Sequence, residues 1–379
     1  DALDFQRDYA RVHAILGGKS PHLQTYVVGG MALPIDPASA AALNADALQE
    51  VDALLRNGLA FVQQAYLPDL LAIASYYREW GSIGRGVGNY LAFGDFSSSP
   101  PRRGLPITDG VLSSGVLRGG TLTRVEPLDP ARIAEHVTRS WFRDRGAAAR
   151  SPYDGVTEPH YTGPAPPYEH LDVDGKYSWL KAPRYDGMAV EVGPLARVLI
   201  GYARGDQRFR RPVDRSVAQL GVPTSALTST LGRTLARGLE TEVLAEHSLV
   251  VLDRLRKSIA GGDLRVADTT KWNPDSWPKR ARGVGFHEAP RGGLSHWVEI
   301  SDKRLARYQA VVPSTWNAGP RDDKGRPGPY EVALVGTPLA DPARPLEILR
   351  TIHSFDPCMA CAAHVLDADG NDVVEVRVQ

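Results

Sequence analysis

The chain has 379 residues, 42% of them hydrophobic and 23% charged, with 44 basic side chains matched by 44 acidic ones. That length makes two or three ordinary domains or one large one, and the balanced charge gives no electrostatic reason to expect nucleic acid or an anionic membrane surface as partner. No apolar run reaches the roughly 18 residues of a spanning helix and no leader pattern opens the chain, while Asp1 in place of Met implies a processed or incomplete product.

From Asp46 to Tyr66, Leu48, Val51, Leu54, Leu55, Leu59 and Val62 recur at helical spacing, and Pro68 is expected to end the helix. Ser151 to Asp186 is dense in Pro, Gly and Tyr, follows neither period, and reads as extended, ordered loop. A long helix is predicted after Pro223-Thr224-Ser225, where Leu227, Leu231, Leu235, Leu239 and Val243 recur every fourth position, with a stop at Gly261-Gly262. Leu294–Ile300 and Tyr308–Val312 form a predicted hairpin, Tyr330–Val335 a further strand, and Asp341-Pro342 the start of a last helix. The fold class expected from these elements is mainly α, an α+β chain with a long-helix core, small β pieces and long ordered loops.

Chemistry concentrates at the carboxyl end. Two cysteines, Cys358 and Cys361, are too few for a disulfide framework, and with His364 they are spaced by three and three. In a helix all three would share one side, and two thiolates with an imidazole suit a borderline-soft metal such as zinc, nickel or iron. The residues alone leave other readings open. A redox dithiol usually sits near a βαβ pattern, which is missing here, and a closed zinc site needs four ligands. Two buried small residues beside an incidental histidine would show the same spacing.

The segment DPCMACAAH resembles the carboxyl-terminal nickel-binding motif of the [NiFe]-hydrogenase large subunit, of the uptake, membrane-bound type. Further matches follow in that family's order: GGKSPH at Gly17–His22, VVGG at Val27–Gly30, SWF at Ser140–Phe142, TEPHYTGP at Thr157–Pro164 and WLKAPRY at Trp179–Tyr185. EVGPLAR at Glu191–Arg197, EAPRGGLSHW at Glu288–Trp297, YQAVVPSTWNAGPRD at Tyr308–Asp322 and GPYE at Gly328–Glu331 extend them across essentially the whole chain. The family's second Cys-x-x-Cys and its amino-terminal glutamates have no counterpart, which implies a member without its amino-terminal segment, holding half of the thiolate cage.

The resemblance implies reversible oxidation of H2 at a nickel–iron centre whose iron carries two cyanides and one carbon monoxide. Cys358 would be a terminal nickel ligand and Cys361 a ligand bridging nickel and iron. Arg291 would hang over the open site, bonding a cyanide and acting on H2 electrostatically; a role as proton acceptor is harder for a group that rarely loses its proton. Asp356 would orient that arginine, Ser314 would donate to the second cyanide, and Pro290 and Pro313 would supply apolar wall. His364 and the main-chain carbonyl of Ala310 would bind Mg²⁺, with Glu191 and Lys181 supporting the shell, and His22 would face a small subunit. Residues 1–364 would form one domain and Val365–Gln379 a tail cut off after His364 by a dedicated endopeptidase once nickel is in place.

Electrons would leave through iron–sulfur clusters on the small subunit of a heterodimer, since this chain has too few cysteines to hold them. Location would be the periplasmic side of the membrane, reached by export with that subunit, with membrane association through partners. A hydrogen-sensing subunit is the alternative that the tail argues against. A scaffold subunit of a respiratory complex is the one that intact Cys358 and Cys361 argue against, and a structural zinc protein would be separated by metal analysis.

Overall fold

A computed structural model describes residues 2–97, 110–144, 146, 149–155, 157–164, 172, 174–358, 362–366 and 372–377, the last two stretches as backbone. In chain order the helices are α1 (Ala2–Gly17), α2 (Ala45–Phe61), α3 (Leu67–Ser75), α4 (Pro194–Ala203), α5 (Gln207–Leu220), α6 (Thr230–Ala260), α7 (Pro313–Ala318), α8 (Pro329–Leu334) and α9 (Leu346–Ser354). The strands are β1 (Tyr26–Val27), β2 (Gly30–Met31), β3 (Tyr90–Ala92), β4 (Gly115–Leu117), β5 (Ile133–His136), β6 (Ala182–Tyr185), β7 (Arg280–Ala289), β8 (Gly292–Ser301), β9 (Arg304–Val311), β10 (Ala362–Leu366) and β11 (Asp372–Arg377). Among the described residues every sheet has two strands except the three-stranded β7-β8-β9. The expected mainly α architecture with small β pieces is what the chain adopts.

The chain divides into two compact units, Asp1–Ala72 with Gly238–Arg280, and Ile73–Arg237 with Ala281–Gln379. The core of the first is Val12 of α1, Leu48, Val51, Leu54 and Leu55 of α2, and Leu252 of α6. Asn44 caps α2 by accepting the Ala47 N–H at 2.9 Å, a contact whose loss costs about 1 kcal/mol. Pro68 does not end the helix as expected. The chain passes through a π-turn at Val62–Tyr66, in which the Leu67 N–H reaches back to the Val62 carbonyl, and continues as α3. The wider turn absorbs a residue that cannot donate its own backbone bond.

In the second unit Leu91, Phe93, Val116, Ile133, Tyr185, Val190, Val192, Trp297, Val311 and Trp316 form one apolar cluster. These residues come from β3 and the residue after it, from β4, β5, β6, β8 and β9, from α7 and from the loop before α4, so short strands and a six-residue helix share a single core. The predicted hairpin is β8-β9, in register Val298 opposite Tyr308, turned at Asp302-Lys303 with both residues left-handed. Tyr330–Val335 is not a strand. Pro329 starts α8 there, and the Glu331 carboxylate accepts the Gly328 N–H at 2.8 Å. The last helix begins at Leu346 rather than at Asp341, whose carboxylate caps a separate turn by accepting the Ala343 N–H. The predicted loop from Ser151 contains β6, paired with β5.

Asn317 of α7 accepts the Val192 N–H at 3.0 Å and donates to the Val192 carbonyl at 2.9 Å, acting as a piece of backbone inside the core. Asn317→Ala leaves both main-chain groups unpaired and should cost about 2–4 kcal/mol. Chemical denaturation checks this, and an unchanged midpoint would show the bridge to be dispensable.

Candidate metal centre

Three segments of the second unit converge. The first is the turn Pro290-Arg291 between β7 and β8. A Cβ on Gly292, at φ +133°, would lie 2.6 Å from the Gly193 nitrogen and 2.6 Å from Val192 Cγ2, and one on Gly193, at φ +122°, would lie 3.0 Å from the Arg291 carbonyl oxygen. Only glycine lets these two backbones lie so close. Arg197, buried in α4, donates to Glu288 Oε2 at 2.7 Å, to the Ala289 carbonyl at 2.9 Å and to the Pro290 carbonyl at 3.0 Å. The other Glu288 oxygen accepts the Phe93 N–H. The backbone carrying Arg291 is thus held by a buried, hydrogen-bonded ion pair, whose break by removal of one partner costs about 3–5 kcal/mol.

The second segment is the start of α7, where β9 runs into Pro313 at the first helical turn and Ser314 is buried. The third follows α9. Asp356 is left-handed at φ +57° and Pro357 comes next, so the helix ends and the chain turns toward the other two. Asp356 Oδ1 lies 3.4 Å from Arg291 Nη2, and the Cys358 N–H donates to Ser314 Oγ at 3.1 Å. Cys358 is exposed. Arg291 Nε is buried without an acceptor among the described residues, a donor waiting for an anionic or lone-pair-bearing group.

The structure therefore brings together Arg291 with Asp356, and Ser314 with Cys358. Pro313 is buried beside them, whereas Pro290 is exposed and contributes its carbonyl to Arg197. Cys361 lies outside the described residues, and His364 sits in β10 opposite Glu375 of β11. The one-sided helix considered for Cys358, Cys361 and His364 is not formed. Asp356 and Pro357 have ended the helix before Cys358, and the residues after Cys361 take up strand pairing. Ala310 stands in β9 opposite His296, its carbonyl accepting Gln309 Nε2 at 3.3 Å. His22 is an exposed loop residue.

Two charged neighbours are fully engaged. Both oxygens of the buried Glu191 take hydrogen bonds from Arg233, at 2.7 and 3.0 Å. Lys181 Nζ donates to Thr157 Oγ1 at 2.8 Å and lies 3.7 Å from Glu135 Oε2. Burial pushes the Lys181 ammonium pKa down and the Glu135 carboxyl pKa up, each opposed by the other's charge. Sequence reasoning missed Arg197, Glu288, Asn317 and Arg233 as supports. The available signal was that Glu288 opens one of the quoted motifs and Arg197, of opposite charge, closes another.

The Arg291–Asp356 pair and the Ser314–Cys358 pair thus lie at the two ends of the short arm Asp356–Cys358, with a second cysteine three residues on in the sequence. The chain matches the nickel-dependent hydrogenase family over residues 1–364 and belongs to that family. It is 43% identical over 396 residues to the uptake hydrogenase large subunit of Bradyrhizobium diazoefficiens and 42% identical over 393 residues to the hydrogenase-1 large chain of Escherichia coli K12. All of this chain is covered in both comparisons, and it spans 65% of each relative's length. It is also similar to the reduced, active form of the Ni-Fe-Se hydrogenase from Desulfomicrobium baculatum, with a TM-score of 0.76 at 30% identity, covering 94% of this chain and 67% of that one.

Just upstream of the Arg291 turn, His287 Nδ1 lies 2.6 Å from Asp95 Oδ2, which also accepts the Glu288 N–H. The hydrogen bond to Asp95 raises the His287 pKa. Burial would raise that of Asp95, but the bonds from His287 and from the Glu288 and Phe96 amides outweigh it and lower it. The histidine's contribution to stability is full below about pH 6.5 and fades as pH rises through its raised folded value; the aspartate's is present above about pH 4 and fades below it. His287→Gln should therefore destabilise more at about pH 5.5 than at about pH 9. Equal losses in denaturation at the two values would show that the histidine carries no charge in the folded chain.

Proposed function

We propose that this chain is the nickel-holding part of the catalytic large subunit of a [NiFe]-hydrogenase, converting H2 to two protons and two electrons in either direction. The observation that carries the proposal is that the arm Asp356–Cys358 meets Arg291 at Asp356 and Ser314 at the Cys358 amide, groups brought from segments far apart in sequence. Cys358 and Cys361 would hold the centre as thiolates, a donor type that suits nickel and low-valent iron, with the remaining thiolates from the family's other Cys-x-x-Cys. The donor set fits. When bound, a nickel–iron centre supplies the open coordination position at which H2 is split heterolytically.

The side chains orient and polarise. Asp356 holds one end of the Arg291 guanidinium and leaves Nε free to donate, the role expected toward a cyanide ligand of the iron. Ser314 Oγ accepts the Cys358 N–H, so its own O–H is available for the second cyanide. Pro313 walls the site with apolar surface. His364 and the Ala310 carbonyl would bind Mg²⁺, the carbonyl supplying the oxygen donor that this ion favours and the histidine a less usual nitrogen.

Electrons pass to an iron–sulfur small subunit in a heterodimer, a reading supported by the chain's similarity to hydrogenase large subunits. Removal of Val365–Gln379 by an endopeptidase acting after His364 is supported by a family match that ends at residue 364. The periplasmic side of the membrane, reached by export with the small subunit, is the proposed location. Among the described residues no helix is long and apolar enough to cross a membrane.

Arg291→Lys should lower H2 oxidation by about 100-fold or more while nickel content stays normal; unchanged turnover would remove the guanidinium from the mechanism. Metal analysis of the purified heterodimer should find nickel, and zinc alone or no metal would overturn the proposal. The mature chain should have a mass ending at His364, and substitution of His364 should block this trimming. Normal trimming with a full metal complement in that variant would end the assignment of His364.

A further inference from the structure

We propose that two arginines on one face of α6, Arg233 and Arg237, are positioning residues that fix where the carboxyl-terminal arm Asp356–Cys358 leaves α9 and so deliver it to Arg291 and Ser314. The consequence for H2 chemistry rests on the function proposed above, while the placement of the arm does not.

Thr230, Arg233 and Arg237 lie three and then four residues apart, hence on one side of the helix. Each meets the last turn of α9 or the residue after it. Thr230 Oγ1 donates to Thr351 Oγ1 at 3.3 Å, and Arg237 Nη2 donates to the Ser354 carbonyl at 2.9 Å. The Arg233 guanidinium carbon stands 3.7 Å from the centre of the Phe355 ring, in a cation–π contact. That carbonyl and that ring belong to Ser354 and Phe355, the two residues just before Asp356. Fixing them leaves two residues, the left-handed Asp356 and Pro357, between the anchor and Cys358.

Arg233 cannot turn away from this task. Glu191 grips it with both oxygens, and its Nη1 donates to the Gly84 carbonyl at 2.7 Å. Gly84 in turn has no room for a side chain, since a Cβ there would lie 2.0 Å from Thr230 Oγ1. The guanidinium edge is thus occupied by Glu191 and Gly84, and its flat face is turned to Phe355. Arg237 serves differently. It satisfies one of the carbonyls that every helix leaves unpaired at its carboxyl end, at the position from which the arm departs.

Hydrogen exchange at the Cys358 amide tests the placement, because that amide is held by Ser314 only while the arm is in position. In the full-length chain, measured by mass spectrometry with residue-level fragmentation, Ser314→Ala sets the scale for complete loss of this bond. Arg237→Ala and Phe355→Leu should speed exchange at Cys358 by about tenfold or more, with the amides of β8 and β9 unchanged. Arg233→Lys, which keeps the charge but loses the fork, should do the same. If it also loosens β8 and β9 it has disturbed the core, and the other two variants decide. Unchanged Cys358 exchange in Arg237→Ala and Phe355→Leu would overturn the proposal. In the nickel-loaded heterodimer, Arg237→Ala should lower kcat with little change in KM for H2, and Arg237→Lys, which can still donate to Ser354, should restore it. A nickel-free wild-type protein would sink the proposed function and leave the exchange result standing; normal nickel with unchanged exchange would sink only the positioning role.

Discussion

The contact on which the site depends is between two pieces of main chain. Val192-Gly193 and Arg291-Gly292 lie so close that Gly292 has no room for a methyl group and Gly193 hardly any. That approach sets the turn from which Arg291 projects, and Asn317 ties the same Val192 to the helix bearing Ser314. A hydrogen-bonding guanidinium and a hydroxyl, distant in sequence, are therefore referred to one short stretch of backbone. A site whose donors must sit within a few tenths of an ångström of their acceptors needs such a common reference.

The second unit is rich in loops, and loop backbone still needs partners for its polar groups. Buried arginines provide many of them. Arg184 pairs with Asp322 and donates to the Pro183, Pro320 and Arg326 carbonyls; Arg197 pairs with Glu288 and donates to Ala289 and Pro290; Arg233 pairs with Glu191 and donates to Gly84. In each case the carboxylate balances a charge that would be costly to bury alone, and the remaining donors take the place of missing secondary structure. The pairs organise loops more than they add stability.

Periodic features were legible in the sequence. The leucines from Leu227 to Val243 fall in or just before α6, which runs to Ala260, and the alternation around Leu294–Ile300 marks β8. Short elements were not, because six residues do not display a period: Tyr330–Val335 reads as a strand until Pro329 and Glu331 are recognised as helix-starting residues. The π-turn at Val62–Tyr66 has no local signal beyond Pro68 itself. At the site, the ordered motifs named Arg291, Ser314, Asp356 and Cys358. They could not show that Arg233 and Arg237 face α9, since those contacts link residues more than a hundred positions apart, nor that Asp356-Pro357 would turn the cysteine segment out of the helix.

Asp356 lives under two opposed demands. Its left-handed backbone is a conformation that glycine adopts freely and asparagine tolerates, so folding alone would favour either of them. Its carboxylate faces a guanidinium, which only an acid can balance. Glycine would relax the bend and abandon the charge; asparagine would keep the shape and surrender the ionic attraction; glutamate would keep the charge on a chain less suited to the bend. The position admits no exchange that satisfies both, so drift at this residue should be stopped from either side.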